Sequence, residues 1–165
     1  MATPTTLPAS FTAGQVLTAA QMNNIRGAFR VLQIVDATAQ TVTSTTSTTF
    51  VTANISASIT PSSTSSKVLV WATFAGEQEG NATSFFTIFR GTVAGTNLGN
   101  GNAGMAAMYR AGIMVAPVSM MILDSPATTS AQTYTVGMRT DTGTLNCRSF
   151  SNNAKGSLIL AEISA

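Results

Sequence analysis

The feature that most constrains this fold is a succession of short strand-like segments, separated by turn residues about every 8–12 positions. The clearest segment covers residues 50–60, where apolar and polar side chains alternate strictly. An alternation of period two predicts a strand with one buried face and one polar face. The inward set in this segment is Val51, Ala53, Ile55, Ala57 and Ile59.

A second segment, K-V-L-V-W-A-T-F at residues 67–74, is apolar without interruption. A short apolar run bounded by turns predicts a central strand buried on both faces, with Trp71 in the core. A sugar-stacking platform is the lesser interpretation of Trp71. Residues 84–90 place Phe85 and Phe89 on one face of a further strand, so we expect the other sheet or another subunit to cover it.

Further strands are predicted over residues 29–35, 105–109, 113–123, 133–139, 145–150 and 157–163, while 76–83 and 92–105 are predicted loops. Pro117 favours an edge strand or a bulge. Eight or more short strands with no helical period between them predict an all-β fold. We expect an antiparallel β-sandwich, jelly-roll-like, in a single sandwich domain spanning residues 29–165.

Residues 1–28 form a separate N-terminal unit, an extended arm followed by one short α-helix. Pro4 and Pro8 favour an extended arm, and Thr18 suits the N-cap of the helix. A helix of about ten residues is marginal alone, so we expect residues 1–28 to dock on a partner. The residues predicted to contact that partner are Leu17, Met22, Ile25, Arg26, Phe29 and Arg30.

The stretch T-A-G-Q-V-L-T-A-A-Q-M-N-N-I-R at residues 12–26 resembles the start of small virion surface proteins of tailed bacteriophages. The end of the chain, G-S-L-I-L-A-E-I at residues 156–163, is similar to a closing strand of their sandwiches. In this family a short arm and helix precede a β-sandwich that often assembles as a trimer.

The resemblance implies a structural protein and not an enzyme, made in the host cytoplasm and placed on the outer surface of the phage particle. We expect a trimeric capsid decoration (cement) protein, with the major capsid protein and its own copies as partners. The alternative is a tail-fibre or tailspike tip that binds host cell-surface glycans. Phe85 and Phe89 are the expected trimer interface, since a large apolar surface usually marks a contact between subunits.

Composition excludes several function classes. The chain has no histidine and one cysteine, Cys147, so the Ser-His-Asp and Cys-His mechanisms, a disulfide framework within the chain and a zinc site are not available. No basic run suggests nucleic-acid binding, and no apolar run reaches the roughly 18 residues of a membrane span. Residues 1–8 lack a basic region and an apolar stretch, so no signal peptide is expected. Cys147 is expected to pack as a small hydrophobic side chain.

Three weaker patterns remain. Glu77 and Glu79 could form the carboxylate pair of a polysaccharide-cleaving enzyme. With Asp124, Asp141 or Asn81 they could instead ligate calcium. Residues 99–104 match G-x-G-x-x-G but lack the preceding strand and following helix of a dinucleotide site, so a surface loop is expected. We therefore expect no catalytic residue, no cofactor and no metal.

Overall fold

The protein folds into two antiparallel sheets packed face to face. The computed structural model describes residues 31–147 and 154–164, together with residues 13, 14, 16, 18, 19 and 22. Its strands are β1 (Val31–Ala39), β2 (Thr43–Thr45), β3 (Val51–Ile59), β4 (Lys67–Glu79), β5 (Ala82–Arg90), β6 (Thr96–Asn97), β7 (Ala106–Arg110), β8 (Met114–Asp124), β9 (Gln132–Thr140), β10 (Thr144–Cys147) and β11 (Gly156–Ile163).

The strand order is that of a jelly roll. In sheet 1 the strand order is β1-β11-β4-β8. The long strand β4 pairs along one edge first with β11 and then, toward its end, with β10, and β2 pairs with β10. Sheet 2 runs β3-β9-β5-β7, with β6 beside the other end of β5. From β3 to β5, and again from β7 to β10, consecutive strands belong to opposite sheets, so each connection passes from one sheet to the other. The predicted all-β, jelly-roll-like sandwich is confirmed.

The core lies between the inner faces of the two sheets. As predicted, β3 turns Ala53, Ile55, Ala57 and Ile59 inward, and each is buried. Each buried apolar side chain stabilises the fold by about 25 cal/mol for every Å² of apolar surface that it removes from water. Besides Ile55 and Ile59, the largest apolar and aromatic side chains that are fully buried are Phe86, Ile88, Tyr134, Met138, Leu145, Leu158 and Leu160.

Polar groups join the two sheets at both ends of the sandwich. At one end, the Asp124 carboxylate on β8 accepts from the Arg90 guanidinium (3.1 Å) and from the Tyr134 hydroxyl (2.7 Å). At the other end, the Gln78 side-chain oxygen on β4 accepts from the Ser84 hydroxyl on β5. Buried polar groups need such partners to offset their lost hydration, so these contacts fix how the sheets are aligned.

Two sequence predictions about sheet 1 have different outcomes. The prediction that residues 76–83 form a loop is wrong for residues 76–79 and for residues 82 and 83. β4 continues to Glu79, paired with β8 on one side and β10 on the other, and β5 already begins at Ala82. The edge position predicted from Pro117 is confirmed, since within the described residues β8 pairs with β4 alone. Proline lacks the N–H that a second neighbouring strand would need.

The described residues near the N-terminus include the start of a helix. Ala19 and Met22 are helical, and the Met22 N–H donates to the Thr18 carbonyl at 3.0 Å. This is the first i→i−4 bond expected of a helix capped by Thr18. Residues 13 and 14 form a turn, and residues 16 and 18 are neither helix nor strand. The other residues of the predicted arm and helix lie outside the described residues, and the division at residue 28 stays a prediction.

Candidate interaction surface

The outward side of sheet 1 carries apolar side chains in direct register across four strands. In one row Ile34, Ala161, Leu69 and Leu123 are neighbours on β1, β11, β4 and β8. Cross-strand neighbours on one face lie about 5 Å apart and form a continuous surface. The next row contains Ile159, Trp71 and Met121. We call this surface the outer apolar face and define it by Ile34, Leu69, Trp71, Met121, Leu123, Ile159 and Ala161.

The period of β4 explains why apolar residues reach both sides of the sheet. Val68, Val70 and Ala72 point into the core, so the intervening residues Leu69 and Trp71 point outward. Trp71 is 46% exposed, and its indole N–H donates to the Ser119 hydroxyl at 3.1 Å on the same face. The prediction that Trp71 lies in the core is therefore wrong for the single chain. A continuous apolar run indicates that both faces of a strand are suited to burial. It does not indicate whether the second sheet or another protein covers each face.

The outer apolar face is open to solvent at its centre and along β8 and β1. Met121 is 63% and Ile34 is 66% exposed, and Leu123 is also exposed. Two charged residues of opposite sign flank the face. Asp36 stands beside Ile159 on β1, and Lys67 pairs with Ile163 at the start of β4. Large apolar side chains clustered in this way usually mark a contact between proteins.

The far end of the same outward face is polar and holds the two glutamates. Glu77 is buried, and Glu79 accepts from the Asn146 amide at 2.8 Å. Asn146 also accepts from the Ser44 hydroxyl at 2.5 Å. Because a buried Glu77 cannot reach a glycosidic bond, the geometry does not support a hydrolytic pair. Asn146 was missed by sequence reasoning, since only the pairing of β10 with both β2 and β4 reveals its position.

The other proposed calcium ligands are dispersed. Asp124 binds Arg90 and Tyr134 at one end of the sandwich, as described above. Asp141 accepts from the Thr83 N–H at 2.7 Å, and this backbone hydrogen bond lowers the pKa of its carboxyl. Asn81 accepts from the Tyr109 hydroxyl. The described residues contain no group of three acidic, cysteine or histidine side chains that could hold a metal ion.

Phe85 and Phe89, the phenylalanines predicted at the trimer interface, pack against side chains of the same chain. Both point to the outward side of sheet 2. Phe89 is only 5% exposed and packs edge-on against Phe50, with ring centroids 5.8 Å apart. Phe85 is half-buried beneath the Arg139 guanidinium. Their role between subunits stays a prediction, but the large exposed apolar surface lies on sheet 1.

Of the residues predicted to contact a partner from the N-terminal helix, one is described. The Met22 side chain is exposed in the single chain. The other five, which lie outside the described residues, are Leu17, Ile25, Arg26, Phe29 and Arg30.

Two further predictions are confirmed. Residues 99–104 form a loop closed by a bridge between Asn100 and Gly104. The two-residue strand β6 precedes the loop, but strand β7 follows it, where a dinucleotide site requires a helix. The Cys147 side chain is buried in the hydrophobic core.

No protein-family model matches this chain, and no curated protein matches it. Within the described residues, no helix has both the length and the apolar character needed to cross a membrane. The interpretation of function therefore depends on the surface itself and on the sequence resemblance.

Proposed function

We propose that this chain is a structural protein of a tailed-phage particle, and that copies of it associate through the outer apolar face. The assembly is a homotrimer on the outer surface of the shell, where it acts as a capsid decoration (cement) protein. One observation carries the proposal: Trp71, Met121, Leu123 and Ile34 form one exposed apolar surface on a sandwich whose core is already complete without them.

The outer apolar face is large enough to supply part of a contact between proteins. Its seven residues, on strands about 4.8 Å apart and spaced about 6.8 Å along each strand, cover roughly 230 Å² of the sheet. A typical monomer can leave a patch of this size exposed. It is under a third of the roughly 800 Å² that each partner buries in an interface of standard size, so edges and loops around the face would supply the rest.

The charges favour another copy of the same chain as the partner. Asp36 and Lys67 carry opposite charges at separate margins of one otherwise apolar face. A surface with one charge of each sign at its rim can meet a second copy with opposite charges facing each other. Closed cyclic symmetry then buries the face without leaving an open end.

The likeness of residues 12–26 to the start of phage surface proteins supports placing this trimer on a particle. In the proposed arrangement residues 1–28 hold the trimer on the major capsid protein, and the sandwich projects. Met22, exposed on the described part of the helix, is one of the side chains that this contact would bury.

Attachment is tested with naked shells and two forms of the protein, the full chain and a chain lacking residues 1–28. We expect the full chain to co-sediment with shells and the shortened chain to stay in the supernatant while remaining a folded trimer by circular dichroism and light scattering. Equal co-sedimentation of both forms would contradict anchoring by residues 1–28. Failure of the full chain to attach to any shell, combined with attachment to tails, would favour the tail-tip alternative.

A further inference from the structure

A second feature lies on the opposite side of the sandwich, on the outward face of sheet 2. A cavity of about 440 Å³ opens between the loop that precedes β3 and the loop that precedes β7. Because it lies on the sheet opposite the outer apolar face, the proposed assembly does not need its residues. The cavity is lined by Thr48, Thr49, Phe50, Gly101, Asn102 and Arg139.

Arg139 is the one charged residue of the lining, and its position is fixed from several directions. Its guanidinium carbon lies 3.9 Å from the centre of the Phe85 ring and 5.5 Å from that of Phe50. Its Nε, at 2.9 Å, and its Nη2 both donate to the Asn102 carbonyl, and Nη1 donates to the Thr48 carbonyl at 3.4 Å. Stacking and hydrogen bonds thus hold the cation in place before any ligand arrives.

These contacts do not neutralise the charge. Backbone carbonyls are uncharged, and the ion pair found among the described residues joins Arg90 to Asp124 at another site. Among the residues that the structure describes, none that lines the cavity is acidic. The carbonyl bonds of Arg139 use three of the five N–H groups of the guanidinium, including the paired Nε and Nη2 donors. One N–H on Nη1 and one on Nη2 remain, and two neighbouring donors of this kind match the two oxygens of a carboxylate.

The rest of the lining suits a sugar. Thr48 and Thr49 are exposed and present hydroxyl groups, and Asn102 presents an exposed amide. Phe50 provides an aromatic surface beside them. The cavity is open at Gly101, because a Cβ placed there would meet nothing within 4 Å. Hydroxyl and amide groups beside an aromatic ring match the mixed polar and apolar surface of a saccharide.

We propose that this cavity binds a carboxylate-bearing saccharide, with the carboxylate on Arg139 and the sugar ring against Phe50 and the threonine hydroxyls. Such a site goes beyond the structural role proposed above. It would give the assembled protein one acidic-glycan site in each copy.

The test uses a glucuronic-acid-containing tetrasaccharide and the same tetrasaccharide with its carboxyl reduced to the alcohol. Binding to the full chain is followed by NMR titration, and acetate is titrated as a third ligand. We expect the acidic tetrasaccharide to bind at least about tenfold more tightly than the reduced one and than acetate, a difference of about 1.4 kcal/mol. Equal binding of the two tetrasaccharides, no binding of the acidic one, or equally tight binding of acetate would overturn the proposal.

Two variants locate the site. Gly101→Phe adds a ring at the open wall without changing Arg139, and Ala94→Phe adds the same ring at an exposed position in the loop between β5 and β6, outside the cavity. Binding should weaken at least about tenfold in Gly101→Phe and stay unchanged in Ala94→Phe. Arg139→Gln, verified as folded by circular dichroism, should abolish the preference for the carboxylate. Unaltered binding in Gly101→Phe would overturn the assignment, and light scattering on the same samples reports assembly separately.

Discussion

At the scale of single residues, Glu162 is the clearest case of a polar group that the fold must satisfy. It is 1% exposed on the inward side of β11. Its carboxylate accepts from the Ser62 N–H and hydroxyl, both at 2.7 Å, and from the Gln33 amide at 2.6 Å. Burial by itself raises the pKa of this carboxyl, but hydrogen bonds from Ser62, Gln33 and Ser66 outweigh burial and lower the pKa to about 2.

Because the pKa of Glu162 is lower in the folded chain than in the unfolded chain, the free energy of unfolding decreases in acid. The ordinary pKa of 4.5 falls to about 2 in the folded chain, so the folded state releases this proton more readily than the unfolded state. The stabilisation is therefore fully present above about pH 4.5 and is lost as the pH falls toward 2. We expect Glu162→Gln to lower the unfolding free energy at pH 7 by about 1–3 kcal/mol, because its amide group cannot accept all of these bonds.

Urea unfolding at pH 7 and pH 3 measures this effect. The wild-type chain should lose more stability between the two pH values than Glu162→Gln, which has no proton to gain at this position. An identical loss in both proteins would show that Glu162 does not contribute to the acid sensitivity. The sequence predicts Glu162 on a closing strand, but its partners lie 100 and 129 residues away, and no local pattern identifies them.

At the scale of elements, β9 and β5 show how close packing depends on a missing side chain. Gly137 on β9 faces the ring of Phe89, and a Cβ at Gly137 would lie 2.5 Å from that ring. The ring is buried against Phe50 and cannot move aside without disturbing it. Gly137 therefore allows an aromatic side chain to lie across the outward face of sheet 2.

Gly137→Ala should destabilise the protein by about 1–3 kcal/mol through overpacking. At this chain length each kcal/mol corresponds to roughly 2–4 °C in Tm, measured by circular dichroism. Gly101→Ala is the matched control, because its Cβ meets nothing within 4 Å, and its Tm should stay within a degree or so or rise slightly. Equal Tm values for the two variants would contradict the packing described for Phe89.

The elements also show where sequence periodicity succeeds and where it stops. Period two predicted the inward residues of β3 correctly, because one face of that strand is apolar and the other polar. It could not divide the apolar run of β4 into a core face and an outer face. It also missed the extension of β4 to Glu79, because Gly76 and the following polar residues resemble a turn. Pairing with β8 and β10 overrides that local preference.

At the scale of the whole molecule, spacing of strands and turns was enough to predict a jelly-roll-like sandwich. The candidate surface was not predictable in the same way. Ile34, Leu69, Trp71, Met121 and Leu123 come from three strands far apart in sequence, and only the order β1-β11-β4-β8 brings them together. The phenylalanines that the sequence favoured as an interface lie on the other sheet, where Phe50 and Arg139 pack against them.

The measurement that tests the central claim most directly is the molar mass of the purified protein in solution, by light scattering at micromolar concentration. We expect the wild type at three times the chain mass of 17.0 kDa, and Met121→Lys at 17.0 kDa, because a charge within the outer apolar face cannot be buried against a second copy. Tyr109→Lys, at an exposed position on sheet 2, should remain a trimer. A wild-type mass of 17.0 kDa, or a trimer that persists in Met121→Lys, would contradict assembly through this face.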